Sequence, residues 1–140
     1  MAFESNEYGR SEAANGLLIP NQPTTVLTGI MQEDVPLEGG FPLWGKLGEG
    51  DKCWATKPES DSFFKGIAQR ITIRDEYYKA DNVSIVAKGA IWVKVAETVK
   101  SGQEAKISEE GKIGVTGTAI PDARFLTDSN ADSLAVLMLG

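Results

Sequence analysis

Turn-forming residues separate short apolar runs about every 8–12 residues from Thr25 to the end of this 140-residue chain. The runs are rich in β-branched residues, and no segment shows an amphipathic helix of three or more turns. This spacing predicts an all-β fold, either a small β-sandwich or a β-tulip-like barrel. Strands are predicted at 24–28, 63–73, 105–107, 112–116, 123–127 and 134–139, and the Gly- and Pro-rich passage 36–45 is predicted to be an ordered loop. The sequence shows no internal repeat.

Residues 82–95 carry the clearest strand pattern. Apolar side chains occupy alternate positions before and after Lys88-Gly89, namely Val83, Ile85, Ala87, Ile91, Val93 and Val95. Because Gly89 can take a positive φ, the pattern predicts a β-hairpin that turns at Lys88-Gly89 and buries one face. Trp92 has the opposite phase to Ile91, so its side chain is predicted to point to the other face, towards an interface or a second packed layer.

Residues 1–24 differ from the rest of the chain because they are mostly polar and because Pro20 and Pro23 oppose helix formation. Their few apolar residues are Phe3, Tyr8, Leu17, Leu18 and Ile19. One interpretation is a disordered tail, and the other is an arm that orders on a partner surface. We predict an extended N-terminal arm at 1–24, with those five residues as its anchors, and a β-rich domain at 25–140.

The counts of reactive residues exclude several classes of function. The chain has no His and a single Cys, Cys53, which excludes His-dependent catalytic triads, imidazole metal sites and intrachain disulfides. Cys53 is therefore predicted to be a small buried hydrophobe. The formal net charge is −6 and the basic residues are scattered, which argues against a nucleic-acid partner. No apolar run reaches the roughly 18 residues of a membrane span, and the N-terminus lacks a signal-peptide pattern. We expect no membrane partner, no metal and no cofactor.

Three short segments approach ligand-binding motifs without completing them. Residues 45–52 lack the spacing of a phosphate-binding loop and a helix to follow it. Residues 128–132 offer several oxygens but not the bidentate Glu of a calcium-binding EF-hand. Lys88 lacks the neighbours that a lipoyl- or biotin-carrying lysine has. The first two segments are predicted to be plain hairpin loops.

A succession of hairpin patterns runs through residues 62–139. It comprises Gly-Ile-Ala at 66–68, Tyr-Lys-Ala-Asp-Asn-Val at 78–83, Lys-Gly-Ala-Ile-Trp-Val-Lys-Val at 88–95, Val-Lys-Ser-Gly at 99–102, Ile-Pro-Asp-Ala-Arg-Phe-Leu-Thr at 120–127 and Leu-Ala-Val-Leu-Met-Leu at 134–139. This succession resembles the decoration, or cement, proteins of tailed-bacteriophage capsids, although Asp81-Asn82 stands where many members have Gly-Asp. The resemblance implies a β-rich knob that clamps adjacent major capsid protein subunits. It also implies an N-terminal extension that adds to capsid β-structure.

The predicted function is therefore structural and not enzymatic. We expect a decoration protein that is made in the host cytoplasm, binds the major capsid protein on the outer surface of the virion and self-associates there as a dimer or trimer. Trp44 and Trp92 are predicted interface residues. One alternative is a non-catalytic β-barrel that binds carbohydrate or another ligand through Trp44, Trp54 and Tyr77. Another is a carboxylate-based hydrolase, which would need two acidic residues facing each other in one cleft.

Overall fold

The computed structural model describes residues 15–19, 23–35, 40–58, 61–70 and 77–140. These residues form nine strands and no helix, which confirms the all-β prediction. The strands are β1 (Thr25–Met31), β2 (Pro42–Lys46), β3 (Lys52–Cys53), β4 (Ser62–Ala68), β5 (Asn82–Lys94), β6 (Glu104–Ile107), β7 (Ile113–Gly114), β8 (Thr118–Phe125) and β9 (Leu134–Leu139). They join into a nearly closed, barrel-shaped sheet.

β5 is a continuous strand of 13 residues, so the prediction of a hairpin that turns at Lys88-Gly89 is wrong. The first part of β5 pairs with β1 and β4, and its second part pairs with β9. Gly89 lies where the strand passes from one set of partners to the other. It has a φ of 119°, and a Cβ atom there would lie 2.5 Å from Cγ2 of Thr24. Glycine is therefore needed for a close approach of two chain segments, not for a turn.

The two halves of the protein repeat one arrangement of five strands. The N-terminal half contains β1, β2, β3, β4 and the first part of β5, and the C-terminal half contains the second part of β5, then β6, β7, β8 and β9. In each half the first strand runs parallel to the third and antiparallel to the fifth. In each half the second strand also pairs with the third and fourth, and the fourth with the fifth. Five strands thus form a nearly closed ring twice, and β5 belongs to both rings.

The correspondence extends to single residues. Met31 pairs in parallel with Cys53 as Val95 pairs with Ile113. The amide of Ala80 donates to the carbonyl oxygen of Met31 over 2.6 Å, and the amide of Asp132 donates to that of Val95 over 2.8 Å. Ala80 and Asp132 both have positive φ values, 73° and 63°. The sequence shows no internal repeat, but the backbone pairing of the two halves does.

Strand β2 corrects the prediction of a loop at 36–45. Pro42 begins this strand, where the missing N–H of proline is tolerated. Gly45 pairs with Phe63, whose ring lies over it and fills the space that a side chain at Gly45 would need. Because the side chains of residues 42–44 are buried, this part of the Gly- and Pro-rich passage is a core strand, while residues 36–39 lie outside the described residues.

Three clusters of apolar side chains hold the sheet together. The main cluster fills the C-terminal half, with Ile91, Val93 and Phe125 among its members, and a second fills the N-terminal half around Tyr77 and Leu43. The third lies on the opposite face of β5 and β9. No charged or polar side chain is fully buried among the described residues, so the clusters are held by apolar packing.

Candidate functional site

The N-terminal residues 15–19 lie along the second part of β5 as an added antiparallel segment. The amide of Gly16 donates to the carbonyl oxygen of Trp92 over 2.7 Å, and the amide of Trp92 donates to that of Leu17 over 2.9 Å. The amide of Ile19 donates to the carbonyl oxygen of Ala90 over 3.1 Å. The side-chain oxygen of Asn15 accepts a bond from the amide of Lys94. Main-chain bonds therefore fasten this segment to the domain.

The side chains of this segment complete the third cluster. Ile19 and Trp92 are 2% and 4% exposed, and they share the cluster with Ala90 and Val136. The expected phase of Trp92 is confirmed, because its indole lies in this second packed layer while Ile91 lies in the main core. Leu17 packs against the same layer and Leu18 against the main cluster.

The capsid contacts predicted for residues 17–19 and for Trp92 stay predictions, and what the structure shows for them is contact within their own chain. Phe3 and Tyr8, the other two predicted anchors, lie outside the described residues.

The structure brings together two of the three aromatic residues of the ligand-binding alternative. Trp44 and Trp54 form an antiparallel pair in which the amide of each donates to the carbonyl oxygen of the other over 2.8 Å, whereas Tyr77 lies apart in the second cluster. Trp44 is buried, touches Phe64 edge to face at 5.7 Å and lines a cleft of about 390 Å³ between the two halves. Trp54 is half-buried and lies beneath the ammonium group of Lys46, 5.5 Å from its ring. Tyr77 is buried in the second cluster, where its hydroxyl donates to the carbonyl oxygen of Gln69 over 2.5 Å. These residues therefore do not form the concave aromatic face that a sugar site needs.

Two carboxylates hold loops at matching places in the two halves. Glu33 accepts hydrogen bonds from the amides of Ala55 and Thr56, at 2.7 and 2.9 Å. Glu97 accepts one from the amide of Val115 at 2.9 Å and one from the hydroxyl of Thr116 at 3.3 Å. Each carboxylate thus fixes the segment that follows the short third strand of its half. Both carboxylates therefore act as structural acceptors within their own halves.

The remaining reactive groups are placed as structural residues. Burial raises the pKa of Cys53 from 9.0 to about 11, against a smaller lowering by Lys65, so the thiol is protonated at neutral pH. Asp128 accepts a bond from the amide of Ser101. Among the described residues, no group of three or more His, Cys, Asp or Glu side chains could hold a metal. None of the described residues belongs to a helix long and apolar enough to cross a membrane.

The most distinctive exposed surface lies on β1. Val26 and Leu27 are 43% and 48% exposed, and Ile30 is exposed as well. β1 pairs with β5 along its length, but on its other side β3 reaches only Ile30 and Met31. At residues 26–28 no other described strand pairs with that side of β1. We call this unpaired side of residues 26–28 the β1 edge. Sequence reasoning missed it, although an uncharged Thr-Val-Leu-Thr run without proline is the pattern of an unprotected edge strand.

Comparison with known proteins places the chain among phage head proteins. The family described as structural cement protein (E217 gp24/Pam3 gp6) matches residues 3–140. A chain from the capsid of Myoviridae phage XM1 has a similar structure, with a TM-score of 0.68 and 18% identity over 100% of this chain and 94% of that one. The head fiber gp8.5 N base of bacteriophage phi29 gives a TM-score of 0.49 and 12% identity over 84% and 95%. No curated protein sequence matches.

Proposed function

The chain belongs to the phage structural cement protein family, and we propose that it decorates the outer surface of a phage head and stabilises the contacts between neighbouring major capsid protein subunits. The observation that carries this proposal is the match of the cement family to residues 3–140, nearly the whole chain. The fold it shares with a chain of the phage XM1 capsid supports the same conclusion.

The chemistry of the chain agrees with a role in binding alone. A cement protein needs surfaces that hold a lattice together, and many identical sites on a closed shell reinforce each weak contact. The absence of His from the sequence and the use of Glu33 and Glu97 to hold loops support a protein without enzymatic activity. We also propose self-association on the capsid, as a dimer or trimer around a local symmetry axis.

The proposed arm, residues 1–24, has two parts in this proposal. Residues 15–19 fasten it to β5, as their hydrogen bonds and the burial of Ile19 support. Residues 1–14 carry the capsid contacts, with Phe3 and Tyr8 as the anchors that add to a capsid surface. In this proposal Trp44 contributes to the interface with the capsid through the cleft that it lines between the two halves. Trp92 contributes indirectly, because its layer positions the fastening segment.

Binding to expanded capsid shells that lack the protein tests the proposal. Three proteins are compared: the full-length chain, a deletion of residues 1–14, and a full-length double variant Phe3→Ala with Tyr8→Ala. The full-length protein is expected to bind saturably and to raise the temperature at which the shells rupture. Both altered proteins should bind at least about tenfold more weakly. Absence of binding by the full-length protein would refute the capsid role, and equal binding by all three would refute the arm.

A further inference from the structure

Because the two halves repeat one arrangement, the β1 edge has an equivalent edge in the C-terminal half, and there an added strand is present. Leu27 pairs with Ile85 in the N-terminal half as Ile91 pairs with Leu137 in the C-terminal half. On the same register, Val26 corresponds to Ala90 and Thr28 to Trp92. The β1 edge is thus the counterpart of residues 90–92 of β5, on which residues 16–19 lie as an added strand.

Side chains at the β1 edge are more exposed than their counterparts at residues 90–92, as expected because residues 16–19 cover only the latter. Ala90 and Ile91 are 1% and 0% exposed, whereas Val26 and Leu27 are 43% and 48% exposed. Leu27 has the same phase along β1 as Gly29 and Met31, which are buried in the N-terminal half. A strand added to the β1 edge would therefore cover Leu27 and extend the core of that half, as residues 16–19 do for the other.

The main-chain groups of the β1 edge point in the direction that such a strand needs. The amide of Ile30 donates to the carbonyl oxygen of Asp51, on the side of β1 that faces away from β5. Because hydrogen-bonding direction alternates along an antiparallel strand, the amides and carbonyls of Val26 and Thr28 point to that same side. Their counterparts Ala90 and Trp92 are bonded by Ile19, Gly16 and Leu17.

We propose that the β1 edge receives an extended, uncharged, apolar segment of a major capsid protein subunit as an added antiparallel strand. The chemistry of the partner follows from residues 16–19, whose sequence Gly-Leu-Leu-Ile fills the equivalent edge within this chain. This inference rests on the proposed function and names one contact through which it would work. Main-chain hydrogen bonds would supply affinity, and the exposed side chain of Leu27 would favour an apolar side chain in the added strand.

The short length of the edge favours a capsid subunit over a second copy of this chain. Two copies joined only at residues 26–28 would bury far less than the roughly 1,000 Å² that a specific interface needs. On a shell, by contrast, the added strand would act together with the arm and with neighbouring sites, so a short contact is sufficient.

A pair of matched lysine variants tests the proposal on shells that lack the protein. Val26→Lys places a charge on the β1 edge, and Leu47→Lys places the same charge on the turn after β2, where Leu47 is 77% exposed. Val26→Pro serves as a second variant, because it removes an amide that points away from β5 and leaves the β1–β5 bonds in place. Thermal unfolding establishes that each variant folds. Hydrogen exchange of residues 24–28 in the wild-type protein is followed free and on shells.

The expected result is that both Val26 variants bind at least about tenfold more weakly than wild type and Leu47→Lys. Val26→Pro removes a main-chain donor to the added strand, and Val26→Lys places a charge against its apolar side chains. The amides of Val26 and Thr28 should exchange rapidly in the free protein and slowly on shells.

If the wild-type protein binds shells and both Val26 variants bind as tightly, the edge contact is overturned and the decoration role remains. A wild-type dimer in solution that either Val26 variant dissociates would assign the edge to a second copy. Slow exchange in the free monomer would assign it to the chain itself. If none of the proteins, wild type included, binds the shells, the proposed decoration function is refuted, and the edge contact that rests on it falls as well.

Discussion

The amide of Ile19 donates a hydrogen bond to the carbonyl oxygen of Ala90 across 3.1 Å, and both side chains lie in the layer that contains Trp92. This relationship ties the N-terminal segment to the strand that both halves share. The boundary between arm and domain, predicted at residue 24, therefore has packed residues on its N-terminal side. A truncation that removes residues 1–24 would uncover Trp92, whereas one that removes 1–14 would not.

Replacing Ile19 with Ala should destabilise the protein by about 2–5 kcal/mol, because a buried side chain would leave a cavity against Trp92. Urea unfolding followed by tryptophan fluorescence would measure the change. Leu47→Ala is the control, since Leu47 is mostly exposed and its loss should cost less than about 0.5 kcal/mol. Similar effects at the two positions would contradict the description of residues 15–19 as part of the core.

Replacing Gly89 with Ala should cost about 1–3 kcal/mol. A φ of 119° is strained for any residue with a Cβ, and the new methyl group would collide with Thr24. Gly48→Asn is a useful comparison, because Gly48 also has a positive φ but nothing lies near its would-be Cβ, and Asn tolerates that conformation. Thermal or urea unfolding of both variants would measure the difference. An alanine at Gly89 that unfolds like wild type would contradict the need for glycine at the approach of β5 to Thr24.

Sequence reasoning found the fold class but misread β5, and the parity of its apolar residues explains how. In a two-residue hairpin that turns at Lys88-Gly89, Ala87 faces Ala90, so residues on one face would change from odd to even numbers across the turn. The apolar positions Val83 to Val95 stay odd on both sides, as a continuous strand requires. Parity was thus a signal for the strand, and the glycine at its centre obscured it.

Two other features could not be found by pattern alone. The repeat of five strands is held in backbone pairing, and equivalent positions carry different side chains, such as Thr28 and Trp92 or Gly29 and Val93. The exposure of Val26 and Leu27 depends on how far β3 extends along β1, which is a tertiary property. By contrast, the phase of Trp92 was predictable, because alternation along one strand fixes the face of each side chain.

Stability should fall between about pH 9 and pH 11 through Cys53. Its pKa is 9.0 when unfolded and about 11 when buried, so the unfolded chain releases the thiol proton first. The stabilisation is fully present below pH 9 and is lost as the pH rises through 11. Urea midpoints measured across this range for wild type and Cys53→Ala should converge as the pH rises. A constant difference between the two proteins would contradict the raised pKa.

Removing the carboxylate of Glu97 should destabilise the C-terminal half. In Glu97→Ala the amide of Val115 and the hydroxyl of Thr116 lose their acceptor, with an expected cost of about 1–3 kcal/mol in the free energy of unfolding. Glu109→Ala removes the same charge from an exposed turn and should change stability by less than about 0.5 kcal/mol. Because Glu33 has the matching position in the other half, Glu33→Ala should behave like Glu97→Ala. If only one of the two carboxylates proved important, the halves would share a backbone arrangement without sharing the interactions that stabilise it.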